Sequence, residues 1–387
     1  MIALHNIHII NEGAKNINIK NGKIIYVSSG NKSFSDIDMP DLHFENVICF
    51  PGLINSHDHL EFNLFPQLGN QVYESYMQWG ADIHNHDKAI ISAILKIPKQ
   101  LRAEWGMYKN LLNGITTVVQ HGAYFKIENP AINIFQDCYS LHSVGLEKNW
   151  KLKLNKPFAK NQPFVIHTGE GTNVATFKEI NELVNWNLFK RKIVAVHGVA
   201  MNSQQAKSFE ALIWCPDSNF FLLNATAKVN ELKKETSILF GTDSTVSAGW
   251  NIWEQLRLAK STGMLTNKEL FDSLTVTPAQ VWKLPDSGAI AENKDADIVV
   301  AKMKYKDDGL NSFLSLDPED ILLILRKGVI ILFDETLLAQ LSKHITQSAF
   351  SKIFINGKGK FVRGDLPSLI NRIKKYYPEI KFPIEIE

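Results

Sequence analysis

At four places in this chain a short apolar run leads into a histidine or an aspartate, and that recurrence restricts the fold more than any other feature. Val47 to Phe50 precedes Pro51-Gly-Leu-Ile-Asn-Ser-His-Asp-His59, Phe164 to Ile166 leads into His167-Thr-Gly-Glu170, Ile193 to Val196 into His197, and Ile238 to Phe240 precedes Gly241-Thr-Asp-Ser244. Unbroken apolar runs of this length mark strands buried on both faces, as in a parallel sheet. The polar residues then stand at the carboxyl ends of the strands. In a barrel of parallel strands that end carries the active centre, so residues as distant as His57 and Asp243 can converge there. Side chains alternate along an extended segment, which puts His57 and His59 on one side and Asp58 on the other. Gathered at one barrel mouth, His57, His59, His167, His197 and Asp243 read as a mononuclear metal site.

The His-x-His pair alone is a weak signal, because a chain with 12 histidines among 387 residues meets that spacing by chance. His84-Asn-His86 has the same spacing, but no apolar run precedes it and Asp87-Lys88 follows where a helix would start, so it reads as a solvated pair. His57 and His59 differ in being followed by three further matches in order.

The chain is long enough for a barrel of ~250 residues with a smaller domain beside it, and 45% hydrophobic against 21% charged residues supports a large core. A net charge of +2 is too small to draw nucleic acid. No apolar run approaches the length of a membrane span, and Met1-Ile-Ala-Leu-His-Asn6 lacks the charged start of a secretory signal, so a cytoplasmic protein without membrane attachment is expected. Cys49, Cys138 and Cys215 are odd in number and widely spaced, which reads as packed, reduced thiols.

Both ends of the chain read as strands. Ile2 to Ile10, Ile17 to Ile19 and Lys23 to Val27 come first, with turn signals at Asn11-Glu-Gly13 and Asn21-Gly22; Ile298 to Ala301, Val329 to Phe333 and Lys352 to Gly357 come later. The expected organisation is α/β: a (β/α)8 TIM-like barrel over residues 50–284, and a small β-sandwich domain composed of residues 1–49 and 285–387 that ends in a helix over Leu366 to Tyr377. The barrel should be irregular around its third and fourth strands. Between Val119 and Phe164 it needs three helices and two strands, at ~12 residues per helix and ~5 per strand, and only 44 residues intervene. At least one helix must be shortened or lost. Ala131 to Ser140 offers helix or strand, and Trp150 to Leu154 a short strand.

Several segments carry a resemblance. Pro51 to His59, Asn113-Gly-Ile-Thr-Thr-Val-Val119, Trp214-Cys-Pro-Asp-Ser-Asn219, Gly241-Thr-Asp-Ser244 and Lys294-Asp-Ala-Asp-Ile-Val-Val300 resemble, in order, the first, second, seventh and eighth strand motifs of the amidohydrolase superfamily and its return to a small β domain. The likeness is to its aminohydrolase branch of deaminases and chlorohydrolase-like enzymes, and it spans most of the chain. Many relatives hold two metals bridged by a carboxylated lysine or a glutamate. Here His167-Thr-Gly-Glu170 resembles the single-metal pattern, in which that histidine is a ligand and the glutamate shuttles protons. Lys151, Lys153 and Lys156 lie roughly where a bridging lysine would stand, but they read better as a solvated basic stretch.

The resemblance implies one divalent ion held by His57, His59, His167 and Asp243; imidazole and carboxylate suit zinc, iron or manganese, and zinc's prevalence in hydrolytic sites puts it first. Such an ion keeps a position for water and brings its pKa from ~15.7 towards ~7. Asp243, with its second oxygen free, would accept the water proton; Glu170 would pass a proton to substrate; His197 would polarise substrate or hold the water. The plainer alternative for Glu170 is a first-turn acid of a helix starting near Asn173. Glu61, Trp79, His121 and Asn219 are the candidate substrate contacts, with His121 equally suited to bonding a neighbouring loop and Asn219 to shaping its turn, and Tyr73 and Tyr76 fit packing roles. The expected reaction is deamination of a small amino-substituted N-heterocycle such as a purine, pyrimidine or pterin. The alternatives are hydrolysis of a cyclic amide or imidazolone-type ring, and a catalytically silent scaffold. Barrels of this family frequently pair, so a homodimer is a further expectation.

Overall fold

The computed structural model describes residues 1–29, 39–157 and 162–387. Eight strands run parallel in two sheets. Leu53–Asp58 (β1), Ile115–Gln120 (β2) and Asn133–Phe135 (β3) form one; Tyr139–Ser143 (β4), Phe164–Thr168 (β5), Ile193–His197 (β6), Ala211–Trp214 (β7) and Ser237–Phe240 (β8) form the other, in chain order. Among the described residues no ladder joins β3 to β4 or β8 to β1. The second seam is crossed just beyond the strands, where the Asp243 amide donates to the His57 carbonyl at 3.1 Å. Gly241 permits that approach, since a Cβ there would stand 2.7 Å from the Cβ of His57.

One apolar run belongs elsewhere. Val47–Pro51 pairs antiparallel with Ile298–Lys302 and parallel with Ile2–Ile9, inside a sheet built from both ends of the chain. The strand that delivers His57 is the next one, β1, and the chain turns between the two at Gly52, where a Cβ would lie 2.2 Å from Thr116 Oγ1. β1 escapes a hydrophobicity reading because Asn55, Ser56, His57 and Asp58 are all buried polar residues. Among the described residues the terminal sheet has eleven strands, including Ile321–Arg326, Lys358–Arg363 and Asp41–His43, which the sequence did not reveal. It packs a core of its own that includes Leu4, Ile17, Cys49, Val300 and Phe333.

The shortfall after Val119 is two helices. No helix lies between β2 and β3, and only Gln136-Asp-Cys138 separates β3 from β4. Trp150–Leu154 forms a helix rather than the expected strand. Helix Lys99–Leu112 is buried along most of its length and packs so closely on the segment after His59 that a Cβ on Gly106 would meet the Leu60 carbonyl at 2.2 Å. The C-terminal helix Leu366–Lys374 buries Leu366, Leu369, Ile370 and Ile373, and the Tyr108 hydroxyl donates to the Arg363 carbonyl at 3.1 Å just before it. No helix among the described residues is long and apolar enough to cross a membrane.

Candidate metal centre

The ends of β1, β5, β6 and β8 bring the series together. His57 Nε2 lies 3.1 Å from His167 Nε2 and 3.7 Å from Asp243 Oδ1. The His59 ring stands 4.9 Å from that of His57 and 5.4 Å from that of His167. Two nitrogens bound ~2.0–2.1 Å from one tetrahedral ion stand about 3.3 Å apart, so the observed separation suits imidazoles that share an ion. Burial, reinforced by neighbouring imidazoles, holds His57 and His167 well below the usual histidine range, and the neutral ring is the form that donates a lone pair to a metal. Two non-glycine residues in the centre adopt left-handed backbone, His197 at φ 70° and Asp243 at φ 56°. Such conformations cost on the order of 1–3 kcal/mol each and collect at functional sites.

Asp243 is held on both oxygens. Oδ1 accepts the Ser244 amide at 2.7 Å, and Oδ2 takes the hydroxyls of Ser218 and Ser247 at 3.0 and 3.2 Å. The second oxygen is therefore not free, contrary to expectation: a serine on the helix after β7 and another on the loop after β8 both turn inward to it. Glu170 is buried, with Oε2 3.6 Å from His197 Nε2. Burial, then the charges of Asp243 and Glu179, raise its carboxyl well above the ordinary range. It does not cap the following helix; Asn173 does, accepting the Thr176 amide at 3.0 Å.

His197 is set by a chain of hydrogen bonds that begins at a group able only to donate. Trp214 Nε1–H donates to Thr226 Oγ1 at 2.7 Å, and the Thr226 hydroxyl donates to Asn219 Oδ1 at 3.3 Å. The Asn219 amide then donates to His197 Nδ1 at 2.9 Å. Burial lowers His197 to about 4 although Asp243 pulls the other way, so the ring is neutral at pH 7. Its one hydrogen is on Nε2, aimed between Glu170 and Asp243.

Behind the centre lies an ion pair that the sequence did not reveal. Asp58 faces away from the imidazoles, as expected, and meets Lys109 Nζ at 3.0 Å, Asn110 Nδ2 at 2.7 Å and Asn63 Nδ2 at 2.8 Å. Lys109 also donates to Thr242 Oγ1 and the Asp243 carbonyl, both at 3.2 Å. A buried lysine thus ties β1 to the segment after β8 where the ladder is open. The available signal was Lys109-Asn110 set between Met107-Tyr108 and Leu111-Leu112.

Comparison with known proteins places the molecule. The profile of the amidohydrolase family matches residues 159–352. The chain belongs to the amidohydrolase family. A 5-methylthioadenosine/S-adenosylhomocysteine deaminase of Dictyoglomus turgidum is 23% identical over 375 residues, covering 78% of this chain and 85% of that protein. An imidazolonepropionase of Kosmotoga olearia is 31% identical over 120 residues, 28% of this chain and 27% of that one. The crystal structure of a zinc-bound adenosine deaminase from Xanthomonas campestris superposes with a TM-score of 0.64 at 13% identity, covering 98% of each chain.

In this amidohydrolase the basic stretch stays outside the site. Lys151 pairs with Glu182 at 2.5 Å, Lys153 pairs with Glu147, and Lys156 is exposed. His84 and His86 are exposed on a helix. Glu61, expected at the substrate, ion-pairs with Lys99 at 3.0 Å and takes the Gln120 amide at 2.8 Å. Trp79 donates to the Leu68 carbonyl at 2.8 Å and packs against the cluster of Tyr73, Leu222 and Leu223. Tyr76 bridges the Gly145 amide and Glu179. His121 lies within the imidazole cluster, with both ring nitrogens facing protein groups. His142, at the end of β4, was missed; its ring is 5.6 Å from that of His167 and it is exposed.

Proposed function

We propose that this amidohydrolase is a single-metal deaminase that hydrolyses the amino group from a small N-heterocycle, with zinc held by His57, His59, His167 and Asp243. The observation that carries the reading is a buried carboxyl with a raised pKa, Glu170, beside an imidazole N–H, His197, at the edge of the ligand cluster. A divalent ion in this ligand set supplies a water acidic enough to act as nucleophile at neutral pH. Glu170, whose buried carboxyl holds its proton more tightly than an ordinary glutamate, gives its hydrogen to the ring nitrogen as the water oxygen adds to the amino-bearing carbon. Glu170, now a carboxylate, takes one proton of the added water and passes it to the amino group, so the C–N bond breaks and ammonia leaves; the second water proton returns to Glu170 as the carbonyl forms. His197 Nε2–H donates to the oxygen throughout. His142, on the exposed side of the cluster, supplies an edge for the heterocycle. The same reading takes the parallel strands as one barrel opened at two seams, and the terminal sheet as a sandwich around its separate core.

The test is ammonia release from a panel of purine nucleosides, pyrimidines and pterins, alongside metal analysis. Turnover with about one equivalent of zinc is expected. About two equivalents would require a second site. The imidazolonepropionase match favours one other reading, in which a cyclic amide is opened; a ring-opened carboxylate without ammonia would establish it over deamination.

A further inference from the structure

His121 directly follows β2, is buried, and is not needed for the ligand set above. Its Nε2 lies 2.8 Å from the Leu141 carbonyl, on β4, so the contact crosses the seam where no ladder joins β3 to β4. Its Nδ1 lies 3.3 Å from His57 Nδ1, with the two rings edge to face at 78°. The His121 backbone is pinned as well, its amide donating to the Asp58 carbonyl at 2.9 Å.

A carbonyl oxygen only accepts, so the hydrogen of that first contact is on His121 Nε2. An uncharged imidazole has one N–H, which leaves a lone pair on His121 Nδ1. Two facing lone pairs repel, so the hydrogen between the rings belongs to His57 Nδ1. His57 then has its lone pair on Nε2, the atom that faces His167 Nε2 and Asp243 Oδ1. One backbone carbonyl thus determines two tautomers in succession.

We propose that His121 is a positioning residue that locks His57 in the Nδ1–H tautomer, presenting the Nε2 lone pair to the metal before the metal arrives, and that it neither ligates the ion nor touches substrate. The inference rests on the metal reading only in taking His57 as a ligand. Partners of this kind orient metal-bound imidazoles in general, and losing one typically costs about 10- to 100-fold in metal affinity.

The decisive measurement needs no variant: nitrogen–proton correlation NMR of the chelator-stripped protein, with the His57 signals assigned by their loss in His57→Gln. Signals of the Nδ1–H form are expected, and an Nε2–H His57 overturns the proposal. Two variants add a second arm, read by zinc competition against a chromophoric chelator. His121→Leu, which removes the acceptor, should weaken zinc binding about 10- to 100-fold. His121→Asn, whose side-chain oxygen falls near the place of Nδ1, should recover most of the loss. Unchanged affinity in a folded His121→Leu protein defeats the proposal. So does the loss of one imidazole donor from the zinc absorption-edge spectrum of His121→Asn, which would make His121 a ligand. If the wild-type protein binds no zinc at all, the metal reading fails, while the stripped-protein spectrum still decides the tautomer.

Discussion

The two sides of the centre use the same side chain for opposite purposes. On one side the contacts run from the Leu141 carbonyl through His121 to His57; on the other they run from the Trp214 indole through Thr226 and Asn219 to His197. The first begins at a group that only accepts and ends with a lone pair facing the cluster. The second begins at a group that only donates and ends with an N–H facing it. Burial keeps both terminal rings neutral, so neither can be donor and acceptor by ionising. Whether an imidazole here is a ligand or a hydrogen-bond donor is therefore decided two or three residues away.

The largest expected effect isolates the acid from either wall. Glu170→Gln should keep the zinc and lower kcat by about 10²- to 10⁴-fold, the usual worth of general acid–base catalysis. Loss of zinc from this variant, seen by elemental analysis, would mean that Glu170 acts as a ligand instead. Next comes a reversal of the donor wall. Asn219→Asp replaces the donor facing His197 Nδ1 with an acceptor, which turns the imidazole N–H away from the centre. A drop in kcat of about 10²- to 10³-fold with unchanged zinc affinity is expected, comparable to removing one preorganised donor. Because His121→Leu should do the converse, weakening zinc first, the pair of variants forms a cross-check. If both variants shift the same parameter, the two walls are not distinct. Further out, Thr226→Val deletes the link that orients the Asn219 amide and should reduce kcat by only a few-fold; a null result, with Asn219→Asp still crippled, would show that Asn219 needs no orienting partner.

The site was legible where one strand ends on one polar residue after an apolar run. His167, His197 and Asp243 were found that way and lie at the ends of β5, β6 and β8. Legibility failed where polarity is compensated by residues far apart in the chain. The polar β1 carries no apolar run of its own because Asn55 and Asp58 are satisfied by Asn110, Thr242 and Lys109, and the apolar run at Val47, which belongs to the terminal sheet, was credited with leading into His57. The same cause hid the buried ion pair, and it left His121 open between contacting substrate and bonding a neighbouring segment, where the structure shows the bond to Leu141. Chain length did expose the defect between Val119 and Phe164, because helices need residues that are not there. It could not show that both missing helices flank β3.

The smallest expected effect lies behind the donor wall and concerns stability. Glu179 accepts the Gly169 amide at 2.7 Å and the Tyr76 hydroxyl at 3.2 Å, so it braces the turn that carries Glu170. Burial, aided by Glu182 and opposed by those two donors, pushes its pKa up to about 7. In the unfolded chain a glutamate ionises near ~4.3. Raised in the folded state, it stabilises fully below the unfolded value, and that contribution is lost as pH rises towards the folded one. Between pH 5 and pH 8 the wild-type protein should therefore lose on the order of 1–3 kcal/mol that Glu179→Gln does not lose, since the amide oxygen can still accept from Gly169. Urea midpoints at the two pH values measure the difference. Parallel trends for wild type and variant would mean that Glu179 is ionised at pH 5, and that the negative charge beside Glu170 is permanent. In that case Glu170 would hold its proton more tightly still, and the acid on the donor wall would owe its raised pKa to a neighbour as much as to burial.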